Sequence, residues 1–203
     1  MVFVNGPVRA AVRAIAAVSQ NGVIGVRGKL PWKLPLEWSH FRRTTRGGTL
    51  ILGRKCHEDN GKALSGCSTV VVTTRDTLPF ASDTEALGVR AANSLGAAVA
   101  LAQHEWPERP IWICGGEQIY QETCKQRKEL GCEELVLTRV GLEIDVSAYA
   151  ERTVTRFPLQ LALAHFDHVT ASEDILDIDM AESDASAVLL RIEWRQPSAV
   201  PGL

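Results

Sequence analysis

The sequence predicts an α/β fold: a single domain with a mixed, mostly parallel central sheet flanked by helices. Three observations carry that expectation. Strand-like and helix-like segments alternate over the first 140 residues, the pattern of parallel strands joined by crossovers. Strands dominate the last third, which adds an antiparallel edge. The 203 residues are 45% hydrophobic and 23% charged, an ordinary globular composition for a chain of one-domain length. Residues 11–196 are expected to form the domain, with 1–10 as an N-terminal extension and 197–203 as a tail.

Val12–Ser19 is a short apolar run centred on Ile-Ala-Ala-Val, the signature of a buried strand. Gln20–Leu36 holds three Gly and two Pro and reads as a long irregular loop, a kind that is usually functional inside a compact domain. Glu37–Thr45 follows Pro35 as a short helix. Thr49–Leu52 is a buried strand ending in Gly53, with a helix starting at Arg54. Ser68–Thr74 is a β-branched strand. Ser94 is placed to cap a helix in which Leu95, Ala98, Val99, Ala102 and Trp106 recur on one face. Ile111–Cys114 is a strand running into Gly115-Gly116, with a helix from there to about Cys124. Glu134–Val140 is another strand. The last third is read as two long strands, near Ala162–Ala171 and Ala185–Trp194, joined by an acidic connection.

The net charge of −2 hides an asymmetry. Residues 1–55 hold ten Lys or Arg and one acid, Glu37, a net of +9, whereas residues 141–203 hold four against eleven. A basic first quarter suits an anionic ligand, because a cleft of one sign focuses field on its counter-ion; solvated surface charge gives the same count. A pI near 6.2 argues against a nucleic-acid partner. No apolar run approaches the ~20 residues that span a bilayer. The five cysteines, Cys56, Cys67, Cys114, Cys124 and Cys132, include no C-x-x-C pair and are read as reduced thiols. The histidines of His165-Phe166-Asp167-His168 would face opposite sides of a strand, so no metal site is expected. No secretory signal is recognised, and a cytoplasmic location is expected.

Glu37 stands out chemically. Leu34, Pro35, Leu36 and Trp38 surround it in sequence, and a carboxylate in an apolar setting has its ionised form disfavoured. Such a group can hold an amidine-like ligand edge or share a proton with it. An acid in the first helical turn is also simply favoured by the helix dipole. Gly53-Arg54-Lys55 and Gly115-Gly116 lie at two strand-to-helix turns, where free N–H groups favour phosphate. Together with Thr73-Thr74-Arg75 at a strand end, they point to a ligand with several phosphates outside the carboxyl ends of the strands. Ordinary turn chemistry explains the same glycines.

Taken together, the segments resemble dihydrofolate reductase. The resemblance runs through Ile15–Ser19, Gly22–Gly25, Leu30-Pro31-Trp32-Lys33-Leu34-Pro35-Leu36-Glu37 and Phe41. It continues through Leu50–Lys55, Val70–Thr74, Cys114-Gly115-Gly116-Glu117-Gln118-Ile119-Tyr120 and Leu137-Thr138-Arg139, in family order, over about residues 13–140. It implies a dihydrofolate-reductase-like fold and reduction of 7,8-dihydrofolate by NADPH, with hydride going to pterin C6 and a proton to N5.

The resemblance also implies roles. Glu37 would pair with the pterin N3 and 2-amino group, Thr138 would support that carboxylate, and Trp32 would organise a water beside it. Ile15, Phe41, Arg42, Asn60, Leu64, Cys114 and Tyr120 would complete the substrate side. Ala17, Ile24, Gly25, Gly28 and Leu30 would meet the nicotinamide end under a mobile lid, Gly22–Leu30. Gly53, Arg54, Lys55, Cys56, Thr73, Thr74 and Arg75 would meet the phosphates, with the 2′-phosphate selecting NADPH. Gly115, Gly116, Glu117, Gln118 and Ile119 would form a turn with a cis peptide under the pyrophosphate.

Three positions depart from the family pattern. Cys67 stands where the family has an arginine for the glutamate tail, leaving Arg42 and Lys62 as nearby cations. Cys56 replaces a hydroxyl residue, and Asn60 replaces an apolar wall. These departures keep a shorter pterin open as substrate. The same fold would also suit a reductase of a riboflavin-pathway intermediate, or a non-catalytic relative that binds NADPH or folate. The expected partners are dihydrofolate and competing antifolate inhibitors, with the chain acting as a monomer.

Overall fold

The computed structural model describes residues 10–60, 64–75, 88–179 and 186–198. Nearly all of the expected N-terminal extension and most of the expected tail lie outside them. In chain order the elements are β1 (Val12–Ser19), β2 (Val23–Val26), α1 (Pro35–Thr45), β3 (Thr49–Gly53), α2 (Arg54–Asn60), β4 (Ser68–Val72) and β5 (Val89–Ala92). There follow α3 (Leu95–Glu105), β6 (Ile111–Ile113), α4 (Glu117–Lys125), α5 (Arg127–Leu130) and β7 (Cys132–Val140). After a 3-10 turn at Glu151–Thr153 come β8 (Val154–Arg156), α6 (Leu159–His165), β9 (His168–Asp179) and β10 (Ser186–Gln196).

Eight strands form one sheet in the order β5-β4-β3-β6-β1-β7-β10-β9. Neighbours from β5 to β7 are parallel, and β10 and β9 close the sheet antiparallel. The expected mixed sheet with an antiparallel edge is therefore the fold found.

Period-two alternation assigns each face of β1 its own core. Val12, Ala14, Ala16 and Val18 pack toward α3, α4 and α6, with Leu95, Ala98, Ile119 and Phe166 buried among them. On the other face Ile15 packs with Leu50, Leu52, Trp112 and Val136, beneath α1 and Phe41. A third cluster joins Trp32 and Leu34, from the segment before α1, to Val188 and Leu190 of β10.

The Ser94 hydroxyl accepts from the Ala97 N–H at 3.2 Å, as its sequence position predicts for a cap. Ser94→Ala is expected to lower unfolding free energy by about 1 kcal/mol in urea titration. An unchanged midpoint would show that solvent replaces the cap.

Three sequence expectations are corrected. Gln20–Leu36 is not irregular throughout, because β2 lies within it and pairs antiparallel with β8 in a separate two-stranded sheet. The strand expected near Ala162–Ala171 begins only at His168, and the residues up to His165 form α6. Ala162 and Phe166, four apart, are the buried positions there, the spacing of a helix. His165 thus ends a helix and His168 opens a strand, so the two do not share a strand at all. Finally, β4 stops at Val72, which leaves Thr73-Thr74-Arg75 just beyond it.

Candidate active site

The strand order changes direction of growth where β6 inserts between β1 and β3, and a crevice opens there at the carboxyl ends. It leads into a cavity of about 510 Å³. Its walls come from β1 (Ile15, Ala17), the β2 segment (Ile24, Gly25, Gly28, Lys29, Leu30), α1 (Glu37, Trp38, Phe41), β3 (Leu50, Leu52), α2 (Cys56, His57, Asp59), Leu64, and the end of β6 with the start of α4 (Cys114, Gly116, Tyr120).

Glu37 is in the first turn of α1 and only 7% exposed, yet its side chain reaches the cavity. Burial raises its carboxyl pKa to about 7, the negative charge of Asp177 on β9 adds to the rise, and the Trp32 indole partly opposes it. Trp32 is buried in the loop before α1, and its Nε1 does not meet the geometry of a direct hydrogen bond to any described residue. Phe41 follows Glu37 by one turn on the same helix face and stacks on Trp38 at 5.4 Å.

Thr138 is buried on β7 opposite Ala17 of β1, on the sheet face that carries the cavity. Among the described residues its hydroxyl makes no hydrogen bond to Glu37. Tyr120 donates to the Ile15 carbonyl at 2.7 Å, and its ring meets Phe157 edge-on at 4.9 Å. Burial pushes the Tyr120 hydroxyl and the Cys114 and Cys56 thiols upward, so this wall is neutral near pH 7.

The two glycine turns meet. The Gly53 N–H donates to the Gly115 carbonyl at 2.7 Å, which joins the end of β3 to the turn after β6. Gly115-Gly116 is cis, as the resemblance implies, and Gly115 has φ +100°. A side chain at Gly115 would meet the Tyr120 ring at 2.6 Å, so only glycine fits. The helices α2 and α4 start side by side from these turns.

Other expected residues are placed differently. Arg42 is exposed and does not line the cavity, because five residues beyond Glu37 is the far side of a helix. Lys55, Thr74 and Arg75 are exposed and do not line the cavity, and Thr73 accepts from the Arg75 N–H at 3.1 Å. Arg54 opens α2 and is ion-paired with Glu58 one turn later. Glu117 accepts from the Arg156 N–H at 3.1 Å, tying α4 to β8, while Gln118 is exposed and Ile119 belongs to the core. The side chain of Asn60 and the whole of Lys62 lie outside the described residues.

Of the nine described basic residues in the first 55, only Lys29 lines the cavity, so the described part of the basic stretch is largely outer surface rather than a basic cleft. Sequence reasoning missed Asp59, whose carboxylate packs within 3 Å of where a Gly28 side chain would begin. It also missed Asp177, which carries no local sequence signal. Among the described residues no helix is long and apolar enough to cross a membrane.

A family model described as dihydrofolate reductase matches residues 11–173. Dihydrofolate reductase HdrB of Haloferax volcanii is 37% identical over 142 residues, spanning 65% of this chain and 70% of that protein. Dihydrofolate reductase type 3 of Salmonella typhimurium is 31% identical over 152 residues, spanning 75% and 81%. The fold also matches dihydrofolate reductase from Enterococcus faecalis complexed with NADP(H) and RAB-propyl, with a TM-score of 0.66 at 22% identity over 92% of this chain and 96% of that one. Motif order, fold and these likenesses agree: the chain belongs to the dihydrofolate reductase family of NADPH-dependent oxidoreductases.

Proposed function

We propose that this chain reduces 7,8-dihydrofolate to tetrahydrofolate in this cavity, with Glu37 as its acid. The observation that carries this reading is a buried carboxyl, held near neutral pKa, in the wall of a mostly apolar cavity. A carboxylate there offers two oxygens to the adjacent N–H groups of a pterin edge, a charge-assisted two-point contact. Its raised pKa keeps a proton available near neutral pH, which favours protonated pterin. Ile15, Phe41, Leu50 and Leu64 would exclude water from that contact, and the segment Gly22–Leu30 would close over the nicotinamide. Thr138 and Trp32, neither of which bonds the carboxylate directly, would steady it through a water beside it.

The cofactor fits the residues present. An added Cβ at Gly116 would meet the Cys56 sulfur at 3.1 Å and one at Gly53 the Ile119 side chain at 3.4 Å, so glycine lets the two turns pack this closely, and the helix starts behind them favour phosphate. Arg54, Lys55, Thr74 and Arg75 would hold the 2′-phosphate end, and Ala17, Ile24 and Gly25 the nicotinamide end. The chemistry supplied by bound NADPH is a hydride to pterin C6. We propose further that the chain works as a monomer in the cytoplasm, and that antifolates compete at Glu37.

A pterin without a glutamate tail is a second reading. It is favoured by Cys67, which is half-buried against the same apolar cluster as Phe41 and Leu64 and donates its thiol to the Thr45 carbonyl at 3.4 Å. A thiol cannot form the two-bond ion pair that an α-carboxylate needs.

The test is loss of reduced-nicotinamide absorbance with dihydrofolate and, separately, with a tail-less dihydropterin. We expect turnover of both, with kcat/KM for dihydrofolate less than ~10-fold higher, since one charge-assisted bond alone is worth at least that factor. Preference for dihydrofolate by ~10³-fold would show that other cations hold the tail. No turnover of either, despite tight NADPH binding, would leave a binding protein.

A further inference from the structure

Helix α1 carries Glu37, yet it lacks a cap of its own. The residue at its cap position, Leu34, has no side-chain acceptor, and Pro35 has no N–H. The next two backbone N–H groups, those of Leu36 and Glu37, both donate to one oxygen of Asp177, at 2.7 and 3.2 Å. Asp177 lies 141 residues after Leu36, on β9, and is 3% exposed. Its other oxygen accepts from the Ile178 N–H at 2.8 Å, so the carboxylate is fixed from its own strand as well. Across the sheet it faces Val188 of β10, within the cluster that seats Trp32 and Leu34.

This arrangement is unusual in its cost. Two buried carboxylates are brought together, and like charges disfavour each other's ionised form. An uncharged acceptor would satisfy the same N–H groups, as Ser, Thr and Asn do at most helix starts. What Asp177 adds is a short, charge-assisted bond to the Leu36 N–H and a longer one to that of Glu37 itself, together with a negative charge beside the Glu37 carboxyl.

We propose that Asp177 is a positioning residue for the reaction: from the β9–β10 hairpin it clamps the first turn of α1 and so sets where Glu37 stands in the cavity wall. The proposal rests on the role given to Glu37 above. It also gives the last two strands, which line no cavity wall among the described residues, a part in the chemistry. A group misplaced by about 1 Å can cost ~10²-fold in rate.

The test compares Asp177→Asn with Asp177→Ala, each measured by kcat, KM, pH profile and NMR titration of the Glu37 carboxyl in the whole protein. The groups that face Glu37 are Asp177 from β9, Trp32 from the loop before α1 and Tyr120 from α4. Asn keeps an oxygen for both N–H groups but removes the charge. Asp177→Asn is therefore expected to hold kcat within ~3-fold at about pH 6, while the ratio of kcat at about pH 6 to that at about pH 8 rises by ~3-fold or more. Asp177→Ala loses the clamp, and its kcat is expected to fall by ~10-fold or more at both pH values, with a smaller change in NADPH binding.

The proposal is overturned if Asp177→Ala keeps kcat within ~2-fold of the parent, or if the Glu37 carboxyl titrates at the same pH in all three proteins. It is also overturned if both variants lose kcat in parallel with melting temperature and keep the parent pH profile, the result of a merely structural role. The NMR titration does not depend on turnover. Should the parent protein reduce no pterin, the reading of Glu37 fails while the clamp is still tested.

Discussion

Glu37→Gln is expected to slow dihydrofolate reduction near neutral pH by ~10²-fold or more and, at the same time, to raise the melting temperature above pH 7. The first effect follows from losing both the charge that pairs with the pterin edge and the proton source. The second follows from linkage. The carboxyl has an ordinary value of 4.5 and is raised to about 7 in the folded chain. Between those values the folded state holds a proton that the unfolded state has released, so stability falls as pH rises through that window. Above it, the folded protein bears the full cost of a buried, ionised group beside Asp177, up to about 3 kcal/mol. Glutamine has no charge to bury and escapes that cost. At about pH 8 the variant should therefore melt several degrees above the parent, at ~2–4 °C per kcal/mol for a chain of this size. At about pH 5 the two should nearly coincide. Steady-state rates and thermal melts across that range check both halves. A near-normal rate would remove Glu37 from the chemistry, and a melting difference independent of pH would mean that its carboxyl is not buried.

The site was legible where a chemical requirement leaves a local mark. One acid among Leu34, Pro35, Leu36 and Trp38 marks a buried carboxyl, and glycines directly after apolar strands mark Gly53 and Gly115-Gly116 as turns. What was not legible depends on partners far away in sequence. β2 and β8 are four and three residues long, and they form only because they pair with each other. The segment near Ala162–Ala171 reads as a strand, but over so short a run periodicity does not separate strand from helix. Tertiary packing of Ala162 and Phe166 decides for α6. The order of segments puts Arg42 near the substrate, and helix phase carries it outward. Asp177 sits in an acidic stretch that looks like plain solvated charge, and only the antiparallel register of β9 on β10 turns it inward.

Gly115→Ala is expected to be the most damaging added methyl among the described glycines. The backbone at this residue has φ +100°, a region that L side chains rarely adopt. The added carbon would lie 2.6, 2.8 and 2.9 Å from Cε2, Cζ and the hydroxyl oxygen of Tyr120. That ring has nowhere to retreat: its hydroxyl is bonded to the Ile15 carbonyl on β1, and its face is held by Phe157. Relief must come either from breaking the Tyr120–Ile15 bond or from moving the turn, whose carbonyl accepts the Gly53 N–H. Either route shifts cavity walls, since Ile15, Cys114, Gly116 and Tyr120 all line it. We expect a loss of about 3–5 kcal/mol, in the range reserved for core overpacking and backbone strain, and a fall in turnover of ~10²-fold. Gly96→Ala is the control. It is helical and exposed, and an added methyl meets nothing within 4 Å, so it should stabilise by about 0.5–1 kcal/mol. Should Gly115→Ala melt within ~2 °C of the parent, Tyr120 is not a rigid wall, and the turn after β6 has freedom that its packing against Tyr120 denies.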